Sequence, residues 1–345
     1  MIGVMLALVS LAAYSEPFKP FQPLPAQPPI PADNPQSPRK SDLGKQFFFD
    51  YRLSSNGSTA CVTCHNVLAG GDDGRTRSIG ATGIVSSRNA PSLWNVGYNT
   101  IYFRDGRALN LEEAIAQHLT SEDTLGQTQP SAVVARVQRI PGYVDQLARV
   151  YGDTDAVSYA NIAKSLASFL RTLNTPDSAF DQYLRGKSDA IPDAAKRGFE
   201  KFINSGCASC HFYVNVAGPV PGLAFQMGEG FYELFPNFKG SEYDTKYKLR
   251  DDIGRYQVSG VETDKHMWRV TGLRNVALTA PYFHNGSVAT LDEAVRVMAR
   301  TQLNLTFSES EVADVVSFLH TLSGEFPVLT APRLPPQVDG NGYVQ

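Results

Sequence analysis

Two pentapeptides constrain this chain more than anything else in it: Cys61-Val62-Thr63-Cys64-His65 and Cys207-Ala208-Ser209-Cys210-His211. They use all four cysteines, and both have the form C-x-x-C-H. A disulfide, a zinc site and covalent attachment of haem are the chemistries to weigh. Zinc sites usually pair C-x-x-C units over some tens of residues or follow one with two closely spaced histidines. Here the two units lie far apart, and neither has such a histidine pair beside it. A thioredoxin-like redox pair needs a βαβ context, which is absent. The c-type haem attachment signature accounts for every residue: each thiol adds across a vinyl group, and the adjacent histidine lies under the iron as proximal ligand.

The flanks of the two motifs also match. "SDLGKQFFFD" precedes the first and "DAAKRGFEKFI" the second, where Ala195, Phe199, Phe202 and Ile203 recur at helical spacing. "YFRDGRALNLEEAI" follows the first and "YFHNGSVATLDEAV" the second; later, "SFLRTL" from Ser168 matches "SFLHTL" from Ser317. The second of these closes a helix with Val312, Val315, Val316 and Leu319 on one face, opened by the capping box Ser308-x-x-Glu311. The expected fold is therefore mostly α: two tandem c-type cytochrome-like haem domains with long loops, 41–190 and 191–330, followed by a tail, 331–345.

The repeat also nominates the residues on the far faces of the haems. Met298 follows Leu291 in "LDEAVRVM" at the spacing by which His118 follows Leu111 in "LEEAIAQH". A methionine is more often core filler, and a lone histidine more often an ordinary packed group. Superposition of the repeats instead sets both above their irons, where a methionine or histidine ligand suits electron transfer and an open face admits peroxide.

A net charge of −3 leaves no basic footprint for nucleic acid and no polybasic membrane patch. Residues 2–13 are almost wholly apolar, and Ala13-Tyr14-Ser15 supplies small residues for cleavage, so 1–15 reads as a signal peptide and the destination as the periplasm. An apolar core helix is the other reading of that run. Nine prolines between Pro17 and Pro38 read as an extended linker, 16–40, that does not pack.

On both C-x-x-C-H sites, "RNAPSLWN", "DGRALNLEEA", "DIGRYQVSG" and "LRNVALTAPYFHNGSVATLDEAVRVM", the chain resembles the bacterial di-haem cytochrome c peroxidase and MauG superfamily, over roughly residues 31–325. The resemblance implies a periplasmic oxidoreductase with two covalent c-type haems. It would reduce hydrogen peroxide to water with electrons from a small cytochrome c or cupredoxin, and a homodimer is a further expectation. Iron would be held by His65 in the first, peroxidatic domain and by His211 with Met298 in the second, electron-accepting one. Met298 falls where MauG-like proteins carry tyrosine, which favours the peroxidase branch. Asn89, Thr279 and Pro281 fall on the positions that hold calcium between the domains; otherwise Asn89 caps a turn before Pro91.

The peroxide pocket departs from the family. Ala81 stands where a switchable histidine is expected, Arg104 where a tryptophan lies between the haems, Ala114 for a glutamine and Thr124 for the catalytic glutamate. The expected replacements are His118, as distal acid–base or as a sixth ligand that swings away, with Glu122 and Asp123 beside it and Arg104 binding propionates. Two alternatives remain at this level: a MauG-like oxidase of a protein side chain, and a non-catalytic di-haem electron carrier with a bis-histidine first haem.

Overall fold

The computed structural model describes residues 21–152, 154–218 and 232–337. The proposed signal peptide lies outside the described residues. The chain is mostly helical; among the described residues its only sheet pairs Tyr232–Leu234 antiparallel with Met267–Arg269. No helix among the described residues is long and apolar enough to cross a membrane.

Two helix pairs form the frame. Pro38–Phe49 packs on Tyr159–Leu170, and Asp193–Asn204 packs on Glu309–His320. Their starts follow from short polar side chains: Ser37 accepts from the Lys40 amide, Ser158 from that of Asn161, and Ser308 with Glu311 forms the expected reciprocal box. Each crossing has a glycine at its closest point. A Cβ on Gly44 would overlap the carbonyl of Ser165, and one on Gly198 the carbonyl of Asp314. The helices touch backbone to backbone, so any side chain there wedges them apart.

Each pair carries its own apolar core. The first gathers Leu43, Phe47, Leu119, Tyr143, Leu166 and Phe169; the second gathers Phe180, Phe202, Leu291, Val312, Val315 and Phe318. Ile203, expected on the inner face, is 42% exposed: it lies at the edge of the stripe formed by Ala195, Gly198 and Phe202, which are buried.

The connection from frame to site repeats at a constant sequence offset. Asn95 and Asn275, then Phe103 and Phe283, adopt left-handed backbone, and the bridge Tyr102–Ala108 is matched by Tyr282–Val288. Helices Leu111–Leu119 and Leu291–Leu303 follow, capped by Asn110 and Thr290. The two copies meet at Thr175, whose hydroxyl oxygen accepts from Asn95 Nδ2 and from Asn275 Nδ2, both at 2.8 Å. Both asparagines are fully buried, so these hydrogen bonds satisfy amides that water cannot reach.

The proline-rich stretch does pack from residue 21 onward, contrary to expectation. Phe21 lies edge-on to Phe199 at 5.1 Å between ring centres, and Leu24 is buried with Tyr98 and Val214. The Leu24 amide donates to Asp181 Oδ1 at 2.9 Å. Proline keeps this segment extended, but two apolar anchors between the prolines bind it to both halves.

Candidate functional site: two haem-attachment centres and the seam between them

At the first centre, Cys61–Cys64 makes one helical turn, and the His65 amide closes it on the Cys61 carbonyl at 3.0 Å. His65 Nδ1 lies 3.0 Å from the Pro91 carbonyl. A carbonyl can only accept, so Nδ1 carries the proton and Nε2 presents its lone pair, as a metal-ligating imidazole must.

Facing His65 is His118, in the last turn of Leu111–Leu119, with ring centres 5.8 Å apart. A metal–imidazole bond is about 2 Å, so two imidazoles on opposite faces of one iron have centres roughly 6 Å apart. The spacing fits a histidine on each side of a haem plane. Burial, with His65 adding to it, pushes the His118 pKa down to about 4, and Asp123 opposes the shift weakly. The imidazole is therefore neutral at pH 7, able to accept a proton or bind iron.

The other expected residues of this pocket divide. Asp123 acts on His118 through space and accepts from the Ser121 hydroxyl. Glu122 is exposed, and its backbone carbonyl accepts from Thr82 Oγ1 at 3.3 Å. Ala81 is buried with its amide on the Thr124 carbonyl at 2.8 Å, so the 80–82 loop braces the 121–126 turn. Arg104 does not join this group. Phe103 does: its ring stacks on His118 at 6.2 Å between centres, and the Arg107 guanidinium lies 3.5 Å from the Phe103 ring centre. Neither was anticipated, although both stand in the repeated "YFRDGRALNLEEAI" and Phe103 has its counterpart in Phe283.

At the second centre, Cys207–Ser209 forms a tight turn and His211 Nδ1 lies 3.2 Å from the Val216 carbonyl, again leaving Nε2 free. A cavity of ≈ 310 Å³ opens here, lined by Cys207, Cys210, His211 and Met298 and reaching Asn89 and Arg104 of the first half. Burial pushes the thiols of Cys61 and Cys210 up to about 12 and that of Cys207 up to about 11, and raises Cys64. Among the described residues no group of His, Cys, Asp and Glu is arranged to hold a metal ion on its own.

Unsatisfied polar groups indicate what the cavity is built for. Trp268 and His284 stack at 4.2 Å between ring centres, and Trp268 Nε1 and His284 Nε2 have no hydrogen-bond partner among the described residues. Arg269 is half-buried beside them; its Nε donates to the Phe103 carbonyl at 2.9 Å, and no salt bridge joins it to a carboxylate among the described residues. A flat apolar macrocycle bearing two carboxylates would fill the space and answer these groups, so the residues present fit a haem.

Asn89, Thr279 and Pro281 line the same cavity. Asn89 does not cap a turn with its side chain: Nδ2 donates to the Arg75 carbonyl at 3.0 Å, and Oδ1 accepts from Arg104 Nη2 at 2.6 Å.

A mostly helical chain with two C-x-x-C-H turns, each presenting a free imidazole nitrogen to a buried space, has the construction of a two-centre c-type haem protein. The di-haem cytochrome c peroxidase family model matches residues 38–189. The cytochrome c551 peroxidase of Nitrosomonas europaea is 37% identical over 97% of this chain and 92% of its own. That of Pseudomonas aeruginosa is 36% identical over 91% and 87%. A solved MauG-like protein associated with microbial copper homeostasis superposes with a TM-score of 0.76, at 29% identity over 87% of this chain and 93% of its own. The chain belongs to the di-haem cytochrome c peroxidase family, an oxidoreductase family whose members carry two c-type haems, and it stands on the peroxidase side, with MauG proteins at lower identity.

Proposed function

We propose that the chain reduces hydrogen peroxide to water, taking two electrons from a small redox protein, a cytochrome c or a cupredoxin, in the periplasm. The domains are those read from the repeat, 41–190 and 191–330. Cys61, Cys64, Cys207 and Cys210 attach the haems, and His65 and His211 are the proximal ligands. Haem supplies the iron that binds peroxide at the first centre and the redox couple that stores electrons at the second.

The observation that carries this reading is His118, 5.8 Å from His65 between ring centres. At that spacing no peroxide would fit between an iron held by His65 and the imidazole, so His118 would hold the far face at rest and withdraw for reaction. Once withdrawn, its neutral imidazole would take the proton from one peroxide oxygen and return it to the other as the O–O bond breaks, so that this oxygen leaves as water; two electrons from the redox protein and two protons from solvent would turn the remaining oxygen into the second water. Asp123 favours the protonated form of that imidazole. Ala81 has no proton to move, so the histidine expected there has been relocated to position 118. At the second centre Met298 and His211 line one cavity; a thioether does not titrate, which suits a site that only receives and passes electrons.

The same distance also favours a second reading, a permanent bis-histidine haem in an electron carrier. The optical spectrum after one equivalent of hydrogen peroxide separates them. The proposal expects no reaction in the fully ferric protein and rapid reaction after one-electron reduction. A carrier reacts in neither state. His118→Ala should shift the first haem to high spin and lower turnover about 100-fold or more, the scale of acid–base catalysis. Full turnover with an unchanged spin state would remove both roles for His118.

A further inference from the structure

The resemblance brings a calcium ion to Asn89, Thr279 and Pro281, but the space before Asn89 is already held by a positive charge. Arg104 Nη2 donates to Asn89 Oδ1 at 2.6 Å and Nε to the Asn89 carbonyl at 3.3 Å. The amide cannot turn away to serve a metal, because its Nδ2 is fixed on the Arg75 carbonyl. The Asn89 amide hydrogen goes to the His284 carbonyl at 2.8 Å, and the Arg104 carbonyl accepts from the Arg269 amide at 2.9 Å, so both residues also hold the second half.

Arg104 is half-buried in this seam at the edge of the cavity, and no salt bridge joins it to a carboxylate among the described residues; Asp72 acts on it only through space. Burial, with Arg269 and Arg88 nearby, lowers its pKa to about 10, which still leaves the guanidinium charged at pH 7. A half-buried guanidinium with no carboxylate side chain bonded to it is held by oxygen atoms that replace part of its water, here both oxygens of Asn89. That is the requirement a hard divalent ion places on the same site, which needs several oxygens and no neighbouring positive charge.

We infer that Arg104 is the resident cation of this seam: its guanidinium takes the oxygen atoms of Asn89 that calcium would take, and the chain therefore folds, loads both haems and works without calcium. The loss of the tryptophan at this position and the loss of the calcium site are then one event. Arginine suits the role because its planar fork reaches two oxygens of one residue from a fixed direction. The inference stands whether or not His118 has the role proposed above.

The test uses the di-haem protein purified without chelator. Metal analysis should find far less than one calcium per chain, and neither EGTA nor added calcium chloride should move the melting temperature or the ferric spectrum. Arg104→Ala should bind a full equivalent of calcium, melt lower in EGTA and recover on adding calcium, whereas Arg104→Lys, which keeps the charge, should stay indifferent to both. Should Arg104→Ala fail to fold, the wild-type and lysine measurements decide. A wild-type protein that carries a full equivalent of calcium and changes its spectrum when EGTA removes it overturns the inference. So does an alanine variant as stable as wild type and blind to calcium.

Discussion

Asn95 and Asn275, Phe103 and Phe283, and Gly106 and Gly286 hold the same left-handed turns in the two halves, yet the helix that follows carries His118 in one and Met298 in the other. Around His118 stand His65, Phe103 and Arg107, ring against ring and guanidinium against ring. Met298 instead borders a cavity that runs into the seam. The turns, caps and glycine crossings hold a helix over a C-x-x-C-H motif, and they do so equally for either side chain. The two helices differ at several positions, Glu112 against Asp292 among them, but His118 against Met298 is the difference that bears on the chemistry, so the halves share a scaffold and divide the work.

The largest expected effect comes from erasing that difference. His118→Met gives the first half the sixth residue of the second while leaving its attachment site and His65 in place. Two low-spin histidine–methionine haems should result, visible as a gain in the thioether-ligation band of the ferric spectrum. Methionine cannot move a proton, so kcat for peroxide should fall by about 10²- to 10⁴-fold. Turnover within a factor of two of wild type would mean that the two positions are not where the chemistry divides.

The next effect asks whether the scaffolds are equivalent. Gly44 and Gly198 each lie where a second helix presses its backbone against them, at Ser165 and Asp314. Gly44→Ala and Gly198→Ala each place a methyl group on a carbonyl that cannot retreat without separating the pair. Overpacking of this kind costs about 1–3 kcal/mol. Denaturant titration of each variant should show comparable losses; a loss confined to one would show that only that crossing needs its glycine.

How far these features can be read before folding depends on their range along the chain. The Ser308–Glu311 cap, the attachment turns and the pairing of His118 with Met298 repeat within short windows, so a single chain compared with itself reveals them. Contacts that join distant residues do not repeat. Arg104 stands in the second copy as His284, so no internal comparison announces that its guanidinium turns to Asn89. The prolines before Pro38 signal an extended chain, and they hid Phe21 and Leu24, whose burial depends on Phe199 and Tyr98 far downstream. Phe103 and Arg107 were in plain view, but only the left-handed backbone at Phe103 turns its ring toward His118.

The smallest expected effect lies at an ion pair that one half has and the other lacks. Arg171, in "SFLRTL", donates to Glu112 at 2.6 and 2.9 Å, and Asn34 Nδ2 adds a third hydrogen bond at 2.7 Å. The pair is nearly sealed, with the side chains 6% and 16% exposed. At the corresponding places the second half has Asp292 and His320, both exposed. Burial alone would raise the Glu112 pKa, but the hydrogen bonds from Arg171 and Asn34 outweigh it and hold the carboxyl below its ordinary 4.5. A carboxyl with a depressed folded-state pKa contributes stability that is complete above the unfolded value and disappears as pH falls through the folded one. Thermal unfolding of wild type and Glu112→Gln between pH 7 and pH 3 should therefore show the widest gap at neutral pH, narrowing below pH 4.5. The gap isolates this pair, because every other acid-sensitive group, the haem ligands included, is common to both proteins. A gap that stays constant down to pH 3 would mean that the glutamine variant loses packing and not charge, and that the two halves differ here in shape alone.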